Sequence, residues 1–292
     1  MATVAQWVQG ARPRTLPNSI APVLAGTGAA IGAGGFRPGN ALLALVVGLA
    51  MQIGVNYAND YSDGTRGTDD NRVGPMRLVG AKLATPGAVR TAAFASLGIG
   101  LLAGLTLVFL TQHWWLLVVG VCCVLAAWYY TGGDRPYGYS GLGEVAVFVF
   151  FGPVAVLGTT YVQSGPPGLL VVLVAIGVGL LSCSVLVTNN VRDIPSDSEV
   201  GKRTLAVRLG DTGSRRLYAT LVTIPFLISI GTGVVAPLML LGLIAAPLAI
   251  SPVRRVLGGA VGRDLIPALG ATGLVMLLWS LGSAVGLAIT EL

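Results

Sequence analysis

Two short stretches of this sequence hold residue types that could bind a divalent cation. The first, NYANDYSDGTRGTDD at 56–70, places Asp60, Asp63, Asp69 and Asp70 within eleven residues. On a helix running to about Asp63, Asn59 and Asp63 stand at i and i+4 on one face. Asn56 and Asp60 form a second such pair on the adjacent stripe. The second stretch, NNVRDIPSDSEVGKRTLAVRLG at 189–210, repeats the spacing with Asn189 and Asp193. Asp197 follows at the next i+4 position, although Pro195 disfavours a regular helix there. Stacked oxygen donors suit a hard cation such as Mg²⁺, which takes one or two carboxylates and completes its shell with water and phosphate. Basic residues follow each set: Arg66, Arg72 and Arg77 after the first, Lys202 and Arg203 after the second. Two such sets facing each other could hold two Mg²⁺ ions, and the ions a diphosphate. The basic side chains would neutralise its remaining charge. For either stretch alone, a polar helix end followed by a loop of mixed charge is the plain alternative.

The elements that must position these sets are membrane helices. The chain has 292 residues, 54% hydrophobic and 10% charged, against roughly 25% charged in a soluble domain. Apolar segments near the length a bilayer needs fall at 16–35, 41–62, 87–110, 114–131, 143–162, 168–191, 214–232, 234–250 and 265–289. The expectation is an all-α polytopic chain of nine transmembrane helices, read as a single domain over 1–292. The 42 glycines suit closely packed membrane helices. Cys122, Cys123 and Cys183 lie in apolar runs and predict neither a disulfide nor a zinc site. No cleavable leader is expected, because the first apolar stretch follows Arg12 and Arg14 and continues into the multi-span pattern.

Charge then fixes an orientation. With nine spans, seventeen of the eighteen Lys and Arg share one face, and only Arg37 lies on the other. The positive-inside rule makes the loaded face, with the N-terminus, cytoplasmic in a cell membrane. Eleven of the twelve acids share that face, Glu291 being the exception. Retention by positive charge would not need the acids, so the crowding of both signs reads as a built site. The net charge of +6 therefore points to a membrane protein and not to nucleic acid. A parallel repeat over roughly 1–131 and 143–250 is also visible. Asn59 and Asn189, Asp63 and Asp193, Arg72 and Lys202, and Gly80 and Gly210 are each 130 residues apart.

A diphosphate at a membrane suggests a polyprenyl diphosphate, whose tail partitions into lipid at about 0.8 kcal/mol per buried CH₂. Its allylic C–O bond ionises when metal and cations stabilise the leaving group. The resulting allyl cation needs an electron-rich wall, for which Tyr57, Tyr61, Trp128, Tyr129, Tyr130, Phe148, Phe150 and Phe151 are candidates. An aromatic belt or ordinary packing accounts for most of them individually.

These residues resemble the membrane-embedded aromatic prenyltransferases of the UbiA superfamily, over essentially the whole chain. The carrying signatures are Asn59-Asp60-x-x-Asp63 and Asp193-x-x-x-Asp197. The finer likeness is to the 1,4-dihydroxy-2-naphthoate branch, which serves menaquinone biosynthesis. It rests on ARPRTLP at 11–17, residues 56–77, YTGGDRPYGYSGLGE at 130–144, and residues 189–210. The wider superfamily has a further Asp four residues after Asp63. Here that position is Gly67 and the acid comes at Asp69, as in the naphthoate branch. The resemblance implies that Asn59, Asp63, Asp69, Asp193 and Asp197 hold Mg²⁺, with Asp60, Asp63 and Asp193 in the catalytic centre. It also implies that Arg14, Arg66, Tyr130, Arg135, Lys202 and Arg203 contact diphosphate. Nine helices around a central cavity are implied, with a polar cytoplasmic cap and a lateral opening to lipid. The implied reaction joins polyprenyl diphosphate to 1,4-dihydroxy-2-naphthoate with loss of CO₂, and Asp60 is the candidate proton acceptor. His113 falls on the far face, away from this chemistry.

Three other readings compete. Membrane CDP-alcohol phosphotransferases share the Asp-x-x-Asp-Gly of residues 60–64. Their remaining acids follow locally, and here the partner acids are far along the chain. A secondary transporter predicts ionisable residues near the bilayer midplane, whereas these charges sit at helix ends on one side. A prenyltransferase of the same superfamily acting on another aromatic acceptor, such as 4-hydroxybenzoate, is the third.

Overall fold

The structure, a computed structural model, describes residues 2–68 and 76–290. Asp69, Asp70, Arg72 and Glu291 lie outside the described residues. Within them the chain is all helical, with no strands. A short α1 (Val4–Gly10) is closed by a capping box between Thr3 and Gln6 and leads through a 3₁₀ turn, Pro13–Thr15, into the bundle. The bundle comprises α2 (Pro17–Gly32), α3 (Pro38–Thr65), α4 (Pro86–Thr111), α5 (Leu116–Tyr129) and α6 (Gly143–Ser164). It continues with α7 (Leu169–Glu199), α8 (Leu205–Gly233), α9 (Pro237–Leu257) and α10 (Ile266–Ile289). Proline opens α2, α3, α4 and α9, where its missing N–H costs nothing. Among the described residues, seven helices are long and apolar enough to cross a membrane. The predicted spans at 16–35 and 114–131 correspond to the shorter α2, of 16 residues, and α5, of 14.

The packing is centred on α7. Its Val171, Val174, Val178, Leu181, Val185 and Val187 are buried in the main core, together with Trp279 and Met276 of α10. α7 packs along α8 and α10, α3 along α4, and α2 along α10. Small residues permit two of these approaches: the ring of Trp279 lies over Gly177, and the backbone at Ala284 lies over Gly28, where a Cβ would collide. Large apolar side chains such as Leu102, Phe109, Leu110 and Val118 point outward, as suits a surface solvated by lipid.

Three local features decide where the chemistry sits. α3 runs without a break to Thr65, so Asn59 and Asp63 share a helical face as the spacing predicts. α7 also runs through Pro195 to Glu199, so Asp193 and Asp197 stand on one continuous helix despite the proline. Finally, α8 begins at Leu205, well before the expected 214, and breaks at Gly210 with φ 68°. That early start holds the 200–204 turn beside the acids of α3.

Candidate active site

The C-terminal ends of α3 and α7 converge on one cavity of about 110 Å³. From α3 it receives Asn59 and Asp63, and from α7 Leu186, Asn189, Asn190, Asp193 and Asp197. Arg12, Arg77 and Lys202 also line it, with Tyr130, Thr131 and Tyr139 from the segment after α5. Three cations thus face three carboxylates. The decisive contact is Lys202, whose Nζ lies 3.1 Å from an Asp63 oxygen and 3.9 Å from an Asp197 oxygen. One ammonium group reaches both acidic helix ends, so the two distant sequence sets are close enough to share a ligand. The Lys202 ammonium also sits 4.4 Å from the centre of the Tyr139 ring.

Asp63 is buried and heavily engaged. It accepts from Arg77 at 2.6 Å, from Lys202, from the Tyr139 hydroxyl, and from Thr68 Oγ1 at 3.3 Å. Arg77 also donates to the Asn59 carbonyl at 2.8 Å, and Thr131 donates to the Asn59 side-chain oxygen at 2.8 Å. Burial, then the neighbouring Asp63 carboxylate and the hydrogen bond to it, push the Tyr139 phenol well above its ordinary pKa, so Tyr139 remains a donor. On α7, Arg192 is paired with Asp193 through two bonds, at 2.7 and 2.8 Å.

Several predicted residues lie elsewhere. Asp60 does not line the cavity. Its carboxylate accepts from the backbone N–H groups of Leu78 at 2.7 Å and Val79 at 3.0 Å, one bond to each oxygen, on the side of α3 away from the cavity. Arg66 turns to the Thr131 and Gly133 carbonyls, ordering that loop. Arg14 is exposed and outside the cavity lining; Arg12, two residues earlier and in a left-handed conformation with φ 54°, lines it instead. Arg135 and Arg203 are exposed and outside the lining too, although the Arg203 backbone N–H donates to the Tyr139 carbonyl. Tyr130 and Lys202 do line the cavity. Of the proposed aromatic wall, Tyr130 alone does so: Tyr57 bonds to the Trp7 carbonyl, and Tyr61 stacks on Trp128. His113 packs on Tyr161.

The sequence assigns no role to Tyr139, Thr131 or Arg12, and to Arg77 only a general one among the basic residues after the first acid set. Tyr139 enters there only as a member of the longer matched stretch 130–144. Asn56 likewise proves to be an anchor, donating to the Ala11 carbonyl at 2.9 Å and to Thr15 Oγ1 at 3.0 Å, which fixes the segment that carries Arg12.

Among the described residues no three His, Cys, Asp or Glu side chains group closely enough to form a metal centre by themselves. Asp69, expected in the metal set, lies outside the described residues. The donors present still fit Mg²⁺: all are oxygens, supplied by Asp63, Asp193 and Asp197 with the Asn59 and Asn189 amides at the same cavity. An ion that takes only one or two carboxylates and draws its other ligands from water and phosphate needs no tighter acid cluster.

Comparison with known proteins gives a family. A sequence model of the UbiA prenyltransferase family matches residues 19–258. A 1,4-dihydroxy-2-naphthoate octaprenyltransferase of Mycobacterium tuberculosis is 56% identical over 292 residues, covering 100% of both chains. The apo structure of a UbiA homolog from Aeropyrum pernix has the same fold, with a TM-score of 0.68 at 17% identity over 91% of this chain and 96% of that one. A UbiA homolog from Archaeoglobus fulgidus, bound to GPP and Mg²⁺, aligns with a TM-score of 0.63 at 14% identity over 96% of this chain and 99% of its own.

Proposed function

The chain belongs to the UbiA prenyltransferase family, and from that premise we propose that it transfers a polyprenyl group to 1,4-dihydroxy-2-naphthoate. The donor is a polyprenyl diphosphate, and the products are demethylmenaquinol, CO₂ and diphosphate. The observation that carries this reading is the convergence of Asp63 and Asp197 on one ammonium group inside a cavity also lined by Arg12 and Arg77. The relative from Mycobacterium tuberculosis, named for the naphthoate acceptor and alike over its full length, supports the acceptor assignment.

In this reading Asn59, Asp63, Asn189, Asp193 and Asp197 would hold Mg²⁺. The ion supplies charge neutralisation to the departing diphosphate. Arg12, Arg77 and Lys202 bind the diphosphate oxygens, and Tyr139 keeps Asp63 oriented. The allylic C–O bond breaks, and diphosphate leaves with the electron pair. The carboxyl-bearing carbon of the dihydroxynaphthoate ring attacks the allyl cation. The C–C bond to the carboxylate then breaks, CO₂ departs, and its electron pair restores the aromatic ring. The cavity, at about 110 Å³, is smaller than the ~300–1,000 Å³ of a typical small-molecule site, so loading requires side chains to move.

The reading includes nine crossings, a single domain over 1–292 with a parallel repeat, and a site and N-terminus facing the cytoplasm. The basic-residue asymmetry supports it. Membranes carrying the protein, supplied with Mg²⁺, a polyprenyl diphosphate and either carboxyl-labelled dihydroxynaphthoate or 4-hydroxybenzoate, test the substrate. Release of labelled CO₂ with formation of the prenylated naphthalenediol is expected. Product from the benzoate alone overturns the acceptor assignment.

A further inference from the structure

Glu144, at the start of α6, is a buried carboxyl that the proposed reaction leaves unused. It is 7% exposed, and no ion pair among the described residues involves it. Its Oε1 accepts from the Asn190 side-chain NH₂ at 2.9 Å. Asn190 lines the cavity, whereas Glu144 does not. In this bond Asn190 donates and Glu144 accepts, so the Asn190 NH₂ is committed to Glu144 and the amide oxygen takes the opposite direction. We infer that Glu144 is a positioning residue that turns the Asn190 amide oxygen into the cavity, where it accepts a hydrogen bond from a ring hydroxyl of the aromatic acceptor. This rests on the acceptor assignment made above.

On a helix of about 3.6 residues per turn Asn190 projects about 100° around α7 from Asn189, the amide assigned to Mg²⁺, which separates it from the ion and supports a role with the acceptor. At 1.5 Å per residue, Asn190 lies about 4.5 Å deeper in the bundle than Asp193 and about 10.5 Å deeper than Asp197. Leu186, one further turn in, and Tyr130 line the cavity beside it. The Tyr130 hydroxyl lies close over Gly143, where an added Cβ would come within 3.0 Å. An apolar side chain, a phenol and one amide oxygen make a pocket for a flat ring carrying a hydroxyl. The same oxygen repels the acceptor's carboxylate, so it sets which edge of the ring enters first. A site built to bond a hydroxyl discriminates strongly against an analogue lacking it, because the buried acceptor is left unpaired.

The test uses the full-length protein in membranes, with 1-hydroxy-2-naphthoate and 4-hydroxy-2-naphthoate as inhibitors, each lacking one hydroxyl. In wild type, one analogue is expected to bind about tenfold or more weakly than dihydroxynaphthoate. Asn190→Leu should bring that gap below about threefold and raise the KM for dihydroxynaphthoate about tenfold, with the KM for polyprenyl diphosphate unchanged. Glu144→Gln, whose amide can face Asn190 either way, should narrow the gap partially at unchanged melting temperature, and it decides the matter should Asn190→Leu fail to fold. An undiminished gap in the variants that fold overturns the inference, as does a KM increase confined to polyprenyl diphosphate. A wild-type enzyme that does not prenylate dihydroxynaphthoate at all defeats the acceptor assignment instead.

Discussion

The two acid-bearing helix ends share a spacing and differ in surroundings. At the end of α3, Asp63 is 4% exposed and held by Arg77, Lys202, Tyr139 and Thr68, while Asp60 is spent on the backbone of residues 78 and 79. At the end of α7, Asp193 and Asp197 are each 13% exposed. Asp193 is paired with its own neighbour Arg192, and Asp197 is reached by Lys202 at the longer 3.9 Å. The α3 end is therefore the anchored half, fastened by segments from three later parts of the chain. The α7 end is the more exposed half. One sequence pattern thus serves two mechanical roles, and the neighbours decide which.

Substitutions can break this contrast or sharpen it. The largest effect is expected for Asp63→Asn. Activity should fall by about a thousandfold, and stability by about 3–5 kcal/mol as buried Arg77 loses its counter-charge and half-buried Lys202 keeps only Asp197. Thermal unfolding in detergent alongside prenyl transfer measures both, and a normal melting temperature would show that the α3 end is not anchored by this carboxylate. Next comes Asp197→Asn, with activity expected to fall about a hundredfold and melting to shift by no more than about 2 °C. A collapse of stability there would erase the distinction between the two ends. Asp60→Asn should cost about 1–3 kcal/mol of stability, since one backbone N–H loses its acceptor. The turnover of its folded fraction should stay within about threefold of wild type, and a loss beyond a hundredfold would return Asp60 to the chemistry. The smallest effects separate two neighbouring arginines. Arg12→Gln should raise the KM for polyprenyl diphosphate about tenfold, and Arg14→Gln by less than about twofold. Equal effects would remove Arg12 from the site.

Most helix positions and the i,i+4 pairs within each acid set were legible in the sequence, because both depend on local periodicity. Hydrophobic runs mark the spans, and i,i+4 spacing marks Asn59 with Asp63 and Asn189 with Asp193. What the periodicity could not give is which of two adjacent stripes faces the cavity. Asp60 and Asp63 are three residues apart, and the turn at 78–79 alone settles that Asp60 points away. Arg77 and Tyr139 reach Asp63 across loops of irregular backbone, where spacing carries no directional information. Arg12 and Arg14 flank a proline, and the left-handed backbone at Arg12 sends the two side chains to different places. Pro195 misled in the opposite sense: helix packing around α7 outweighs the one missing hydrogen bond.

Lys202 is fastened to the chain by the turn after α7, its own N–H donating to the Asp197 carbonyl at 2.8 Å. A tethered ammonium is present at a high effective concentration, so the paired acids keep a resident companion between turnovers. A dissolved divalent ion arriving alone must evict that companion and offers it nothing in return. A pyrophosphate tail arriving with its ion gives the displaced ammonium a new anion to hold. In the proposed reaction, donor and metal would therefore be taken up by partner exchange, as one package.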